Sequence, residues 1–388
     1  MPVALRCLVF FLSAGYLLLL SESVHAQERY VPPQVSAKAL KIHQRGLLID
    51  GHNDLPWEIR TRAGGTFDKA DIARSQPDFH TDIPRLKQGG VKAQFWSVYV
   101  PAETALTGDA LLKTLEQIDI VQRMVKKYPE SFTLVKTADE LERVATSGIV
   151  ASMMGVEGGY SIEESLQNLQ RYYDLGVRYM TLTHSKNLSW ADSATDEENL
   201  GGLSEFGEEV IHEMNRLGML VDLSHVSAKT MKHALRVTKA PVIFSHSSAR
   251  ALTDHPRNVP DDVLKMLPRT DGVVMINFYS AFIAPNEALA EDPKALGTLD
   301  DVCNHIEHVI KVAGIDHVGI GSDFDGVPRL PVGLEDVSTY PRITQELLNR
   351  GFNKRQIHKI LGGNLLRILK EAEKVAEKLQ SISSKINE

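Results

Sequence analysis

Six short sequences in the chain carry imidazole or carboxylate groups: His52-Asn53-Asp54, Glu157-Gly158-Gly159, Thr183-His184-Ser185, Asp222-Leu223-Ser224-His225, Ser245-His246-Ser247 and Ser322-Asp323-Phe324-Asp325. Each closes an apolar run, where a buried strand would give way to a loop. A lone histidine in such a place is more often a hydrogen-bonded structural residue than a ligand. Four histidines and three carboxylates at the equivalent point of separate runs suggest metal binding or acid–base catalysis instead. His52 and Asp54 are two residues apart, so on a strand both side chains face one side and can hold one ion. His225 and His246 come from neighbouring runs and can share a second ion. Glu157, rising between the two groups, can bridge them with one oxygen on each. Imidazole and carboxylate without thiolate suit Zn2+, with Mn2+, Co2+ or Fe2+ as alternatives. Two ions about 3.5–4 Å apart would hold a bridging hydroxide as nucleophile.

The elements that must position these groups are legible as a repeat of strand and helix. Apolar runs rich in β-branched residues cover 47–54, 92–100, 149–157, 178–185, 219–226, 241–247, 272–280 and 317–323. Most are continuously apolar, as strands buried on both faces are. Helical periodicity fills the intervals; Leu111, Leu112, Leu115, Ile118, Val121 and Val125 are one example. Thr137-x-x-Glu140 and Ser161-x-x-Glu164 read as capping boxes. The alternation predicts a single α/β domain, a (β/α)8 TIM-type barrel with peripheral helices, whose strand ends converge on one mouth. An open doubly wound sheet is disfavoured, because no G-x-G-x-x-G follows the first run. The segment 365–379 is an amphipathic helix expected on the barrel exterior or in a subunit interface.

Composition narrows the function. The 388 residues carry 43 Lys+Arg against 50 Asp+Glu, a net charge of −7, and no basic run, which argues against a nucleic-acid binder. Two cysteines, Cys7 and Cys303, against 14 histidines exclude a thiolate or disulfide scaffold. Residues 1–26 combine Arg6, the apolar stretch Leu8–Leu20 and Val24-His25-Ala26, the pattern of a cleaved signal peptide. The expected product is an exported barrel enzyme of residues 27–388, periplasmic or secreted. It keeps only Cys303, has no stable membrane anchor after cleavage and binds no nucleic acid.

Seven motifs in order make the chain similar to the renal (membrane) dipeptidase family, a branch of the amidohydrolase-type metal-dependent hydrolases. They are Gly51-His52-Asn53-Asp54-Leu55-Pro56-Trp57, Gly155-Val156-Glu157-Gly158-Gly159, Thr181-Leu182-Thr183-His184, Asp222-Leu223-Ser224-His225-Val226-Ser227, Pro241-Val242-Ile243-Phe244-Ser245-His246-Ser247-Ser248, Arg257-Asn258-Val259-Pro260-Asp261 and Ser322-Asp323-Phe324-Asp325-Gly326. The resemblance runs from about residue 48 to 369.

That resemblance implies two Zn2+ ions per subunit. His52 and Asp54 match the ligands of the first, His225 and His246 those of the second, and Glu157 the bridging ligand. His184 matches a histidine that contacts substrate and stabilises the tetrahedral intermediate. Arg257 matches the residue that receives the substrate's C-terminal carboxylate, Asp323 the acid/base carboxylate, and Trp57 a pocket-wall aromatic. The implied reaction is hydrolysis of dipeptides, with deacylation of N-acyl-D-amino acids on the same metal pair as the alternative, and a homodimer is the implied assembly. A non-catalytic protein that keeps the fold is disfavoured, because every matched position is intact. Two departures stand out: Tyr160 where the family commonly has His, and no C-terminal lipid-anchor signal. Taken alone, Arg257 would read as a surface ion-pair partner of Asp254. Asp222 and Asp325 are expected to orient neighbouring groups, Trp96 and Tyr99 to be core or rim aromatics, and His43, His80, His212 and His233 to have no catalytic part.

Overall fold

Every one of the eight apolar runs supplies a parallel strand, since a run buried on both faces must satisfy its backbone groups in a ladder. The computed structural model describes residues 30–386, so the expected signal segment 1–26 lies outside the described residues. The strands are β1 (Leu48–Asn53), β2 (Val91–Tyr99), β3 (Phe132–Leu134), β4 (Val150–Glu157), β5 (Val177–Thr181), β6 (Leu220–Asp222), β7 (Val242–Phe244), β8 (Val273–Ile276) and β9 (Val318–Ile320). They pair in the order β1-β2-β4-β5-β6-β7-β8-β9 and β9 returns to β1, closing the expected eight-stranded barrel. The ninth strand, β3, was not anticipated. It pairs with the first residues of β4 (Val150–Ser152), and β5 takes up pairing from Met154 onward. β3 therefore extends the base of the sheet without entering the closed ring.

Several strands are shorter than their apolar runs. β5, β6, β7 and β9 stop before His184, His225, His246 and Asp323, and β1 stops before Asp54. The cause is local. Asp222 Oδ1 accepts the backbone N–H groups of Ser224 (3.0 Å) and Ser245 (2.8 Å), and Asp50 Oδ1 accepts that of Ser322 (2.8 Å). Buried carboxylates thus take donors that a longer ladder would have used. The chain is then free to turn: His225, Asp323 and Asp325 have φ of 68°, 65° and 66°, the left-handed region in which Asp and His are over-represented among non-glycine residues.

Thr137 caps the helix Ala138–Ala145 by accepting from Glu140 N, but the Glu140 carboxylate accepts from Lys136 N, so only half of the expected box forms. The second expected box fails. Ser161 sits inside the 3-10 turn Gly159–Ile162, and Ser165 caps the helix Leu166–Leu175 by accepting from Asn168 N. The long terminal helix Asn364–Ile386 packs on the barrel exterior, burying Leu365, Ile368, Leu369 and Ala372 in one cluster with Ile243 and Val273. Cys303 is a free, buried thiol. No helix among the described residues is long and apolar enough to cross a membrane.

Candidate active site

Glu157 is the last residue of β4, in register with Tyr99 of β2 and Thr181 of β5, so the barrel holds its backbone from both sides. Its two carboxylate oxygens face different neighbours. Oε2 lies 3.6 Å from His52 Nε2. Oε1 lies 3.0 Å from His225 Nε2, 3.4 Å from His246 Nε2 and 4.0 Å from His184 Nε2. His52 Nε2 is also 3.1 Å from Asp54 Oδ2, and the His225 and His246 Nε2 atoms are 2.9 Å apart. Three triads have ligand atoms within 4.8 Å of one another: His52–Glu157–His246, Glu157–His184–His225 and His52–Asp54–Asp323. The chain therefore gathers in one place every imidazole and carboxylate named from the sequence as ligand or acid/base.

The geometry of Asp54 differs from the strand argument. It lies beyond β1 as the residue preceding the helix Leu55–Ala63, and makes no capping bond with its side chain. The turn, not strand alternation, brings it to His52.

Hydrogen bonds behind the ligand atoms set the tautomers. Ser245 Oγ donates to Asp222 Oδ2 (2.5 Å), so it can only accept from His246 Nδ1–H (2.8 Å). Likewise Tyr179 OH donates to Gly51 O (3.2 Å) and accepts from His52 Nδ1–H (2.9 Å). Both imidazoles thereby turn an Nε2 lone pair toward Glu157, the arrangement that metal-ligating histidines require. Tyr179 reaches His52 across the barrel only because residue 155 is glycine; a Cβ there would fall inside the tyrosine ring.

The electrostatics demand positive charge. Burial depresses His52, but the Asp54 and Glu157 carboxylates outweigh it and push the imidazole up to about 10. A proton and a divalent cation therefore compete for the same Nε2. Burial, with Arg257 adding to it, holds His225 well below its usual value; burial and then His52 do the same for His246. Both stay neutral and able to ligate. Burial raises Glu157 to about 8 and Asp323 to about 7, against the opposing pull of His52. His52 Nε2 is buried without a well-formed hydrogen bond, and the donor set is nitrogen and oxygen alone. These residues fit a divalent metal site built from imidazole and carboxylate donors.

Asp323 accepts from Asn277 Nδ2 at 2.8 Å, and its N–H donates to His52 O at 3.2 Å. Arg257 is 3% exposed and not on the surface. Asp254 pairs with Arg250 instead, at 2.8 Å. The Arg257 guanidinium donates only to Ser247 Oγ and His246 O, both at 3.3 Å, and no carboxylate lies within 4.0 Å of it among the described residues. Tyr160 OH bonds Val100 O, stands under Gly158 and lies 3.4 Å from the backbone carbonyl of Glu157.

A cavity of about 410 Å3 opens over these groups, walled by Trp57, Tyr99, His184, Tyr279 and Phe282. Trp57 meets Tyr99 edge-on at 5.0 Å, and Tyr99 lies 4.9 Å from the His184 ring. Tyr99 is thus the rim aromatic and Trp96, wholly buried, the core one, within the expectation for the pair. Asn277, Tyr179, Tyr279 and Phe282 were missed. Asp222 and Asp325 bond neighbouring backbone, the latter accepting from His80 N at 2.6 Å. His80 is thereby tied to the site's edge, and His43 bonds Gly89 O far from it.

The sequence profile of the membrane dipeptidase family (peptidase family M19) matches residues 36–383. Dipeptidase 3 of Mus musculus is 42% identical over 351 residues, covering 89% of this chain and 68% of that protein. Among solved structures, a metallopeptidase from Rhodobacter sphaeroides bound to a phosphinate mimic of L-Ala-D-Ala is 27% identical, with a TM-score of 0.75. That alignment covers 84% of this chain and 99% of that one. The probable dipeptidase PvdM from Pseudomonas aeruginosa shares the fold, with a TM-score of 0.79 at 24% identity, covering 87% and 98% of the two chains. With the profile spanning nearly the whole described chain and the histidine–carboxylate cluster at its mouth, the chain belongs to the membrane dipeptidase family of metallopeptidases.

Proposed function

We propose that the protein hydrolyses the single peptide bond of dipeptides with two Zn2+ ions, one held by His52 and Asp54, the other by His225 and His246, with Glu157 shared. The observation that carries this reading is the division of Glu157, one oxygen toward His52 and the other toward His225 and His246. When bound, the ion pair supplies a hydroxide nucleophile at neutral pH and polarises the scissile carbonyl. Arg257 receives the substrate's C-terminal carboxylate, since it is a buried cation with no carboxylate within 4.0 Å among the described residues. That contact confines cleavage to substrates whose free carboxylate lies one residue from the scissile bond. Asp323, raised to about 7 by burial, exchanges a proton near neutrality and passes it to the leaving amine. His184, lowered to about 4 by burial and Arg257, is neutral and hydrogen-bonds the oxyanion. Trp57 walls the substrate cavity.

The carboxylates of Glu58 and Asp325 also line that cavity, which suits a substrate with a free ammonium group better than an acyl chain and favours dipeptides over N-acyl-D-amino acids. The phosphinate bound by the Rhodobacter relative, a tetrahedral dipeptide mimic, supports the same choice. The enzyme would be exported after loss of residues 1–26, to periplasm or medium, and act as a homodimer. The test is a panel of dipeptides with L and D C-terminal residues, matched with N-acyl-D-amino acids. It is run on chelator-treated protein as zinc is added back. Activity on dipeptides should rise to a plateau at two zinc per chain; equal or faster turnover of the N-acyl compounds would overturn the reading.

A further inference from the structure

Two stretches of the sequence, 29–49 and 347–370, contain no Asp or Glu, although the chain carries 50 acidic residues and a net charge of −7. The fold packs them together. His358 donates from Nε2 to Ile42 O at 2.9 Å, and a Cβ on Gly46 would touch Leu361. The helix Ala37–Arg45 presents Lys38, Lys41 and Arg45 on its exposed side, and Lys354 and Arg355 stand beside them. Lys354 lines both a groove along that helix, with Lys38, Lys41 and Arg45, and an adjoining cavity of about 530 Å3 with Arg355 and Arg367. The nearby acids are already engaged: Asp316 pairs with Lys359, and Asp271 with Arg367. The other five cations have no ion-pair partner among the described residues. The patch lies at the N-terminal ends of the strands, since the helix leads into β1 at Leu48 and Asp316 lies two residues before β9. It is therefore on the face opposite the catalytic mouth.

We infer that this cationic face docks the enzyme on an anionic phospholipid surface, with the mouth turned away from the membrane and open to soluble substrate. Charge complementarity carries the inference: five unneutralised cations share one face of an otherwise acidic protein. The lining selects lipid over nucleic acid. Ile42 and aliphatic lysine and arginine stems line the groove and cavity, and no Phe, Tyr or Trp is present to stack a base. Leu40, 38% exposed on the same helix, adds apolar surface at the edge. The helix is also the first element among the described residues.

The test uses the chain from residue 27 onward and vesicles of phosphatidylcholine with about 30% phosphatidylglycerol, since each cation near such a surface strengthens binding about fivefold. Co-sedimentation should detect binding at low salt, none to pure phosphatidylcholine, and loss at about 0.5 M salt, where charges are screened within a few ångströms. The variant Lys41→Gln/Arg45→Gln/Lys354→Gln/Arg355→Gln should bind at least a hundredfold more weakly and hydrolyse dipeptides as the parent does. Vesicle binding unchanged in the variant, binding to neutral vesicles as strong as to anionic ones, or a stronger hold on RNA or heparin than on vesicles would each overturn the inference. Dipeptide turnover is read separately, so a failure of docking is distinguishable from a failure of the catalytic assignment.

Discussion

Tyr179→Phe removes one oxygen and leaves every candidate ligand in place. The Tyr179 hydroxyl accepts from His52 Nδ1–H at 2.9 Å and donates to Gly51 O at 3.2 Å, with all three residues buried. Burial raises the phenol well above its usual value, so it remains a neutral hydroxyl at any working pH. Without it, the buried Nδ1–H of His52 loses the acceptor that the fold gives it. An unsatisfied buried donor costs about 1–3 kcal/mol. Part of that cost is escaped if the ring rotates or the proton moves to Nε2, and either change removes the lone pair from the ion. Metal affinity at the His52–Asp54 side should therefore fall about 10- to 100-fold, the range for partners that orient a ligating histidine, equivalent to about 1.4–2.7 kcal/mol. The His246 side should lose less, because Ser245 keeps its bonds to Asp222 and to His246 Nδ1. The assay is zinc content and affinity by competition with a chromogenic chelator, read as two classes of site. Two sites each within twofold of the parent would refute the claim that this hydroxyl aims His52 at an ion.

Other perturbations separate the remaining parts of the site. Gly326→Ala should abolish binding at the His52–Asp54 side, measured by zinc stoichiometry, because a Cβ there would overlap Asp54 Oδ2 and Asp323 Oδ1. Asp323→Asn should lower kcat by about 100-fold or more, the scale of general acid–base catalysis, with both zinc ions retained; near-normal turnover would end the role given to Asp323. Acid should weaken the fold partly through His305, which burial lowers to about 4 and which accepts from Ala249 N at 3.0 Å. The native state keeps it neutral while the unfolded chain protonates it below about 6.5, so its contribution is full above that pH and is lost as pH falls toward 4. At pH 5 the loss is about 2 kcal/mol relative to pH 7. The difference between denaturant midpoints at the two pH values should shrink by a matching amount in His305→Gln.

The clustered imidazoles and carboxylates were legible because each lies at the end of an apolar run, and closing eight such runs into a ring brings those ends together whatever the loops do. The support behind them was not legible, because its partners are far apart in sequence. Tyr179 and His52 are 127 residues apart, and Asp50 and Tyr340, which share a 2.7 Å hydrogen bond, are 290 apart. Neither spacing leaves a periodic trace. Gly155, inside an otherwise continuous strand, was the available hint for Tyr179, since an interior strand glycine often marks a close approach. Tyr99 and Trp96 belong to one run and differ only in facing the cavity or the core, a distinction that depends on the barrel's shear. The cationic face was hidden for another reason: neither contributing stretch is a basic run, and what unites them is the absence of acid.

The strand ends supply position, but two buried aspartates supply aim, and they do it in the same way. Asp50 of β1 accepts the backbone N–H and the hydroxyl of Ser322 beyond β9, at 2.8 and 2.7 Å. Asp222 of β6 accepts the N–H and the hydroxyl of Ser245 beyond β7, at 2.8 and 2.5 Å. Each clip joins two adjacent strands one residue before a candidate ligand or acid/base group: Ser322 precedes Asp323, and Ser245 precedes His246. Each carboxylate also takes the N–H two residues further along its own chain, His52 for Asp50 and Ser224 for Asp222. A buried carboxylate left with fewer partners would be costly, so the three bonds at each clip hold together or fail together. The left-handed turns at His225 and Asp323 follow directly after these clips, which hold the chain in a conformation that strand pairing would not permit. The two halves of the candidate metal centre are thus fixed by two separate clips, with Glu157 on β4 as the group that spans them.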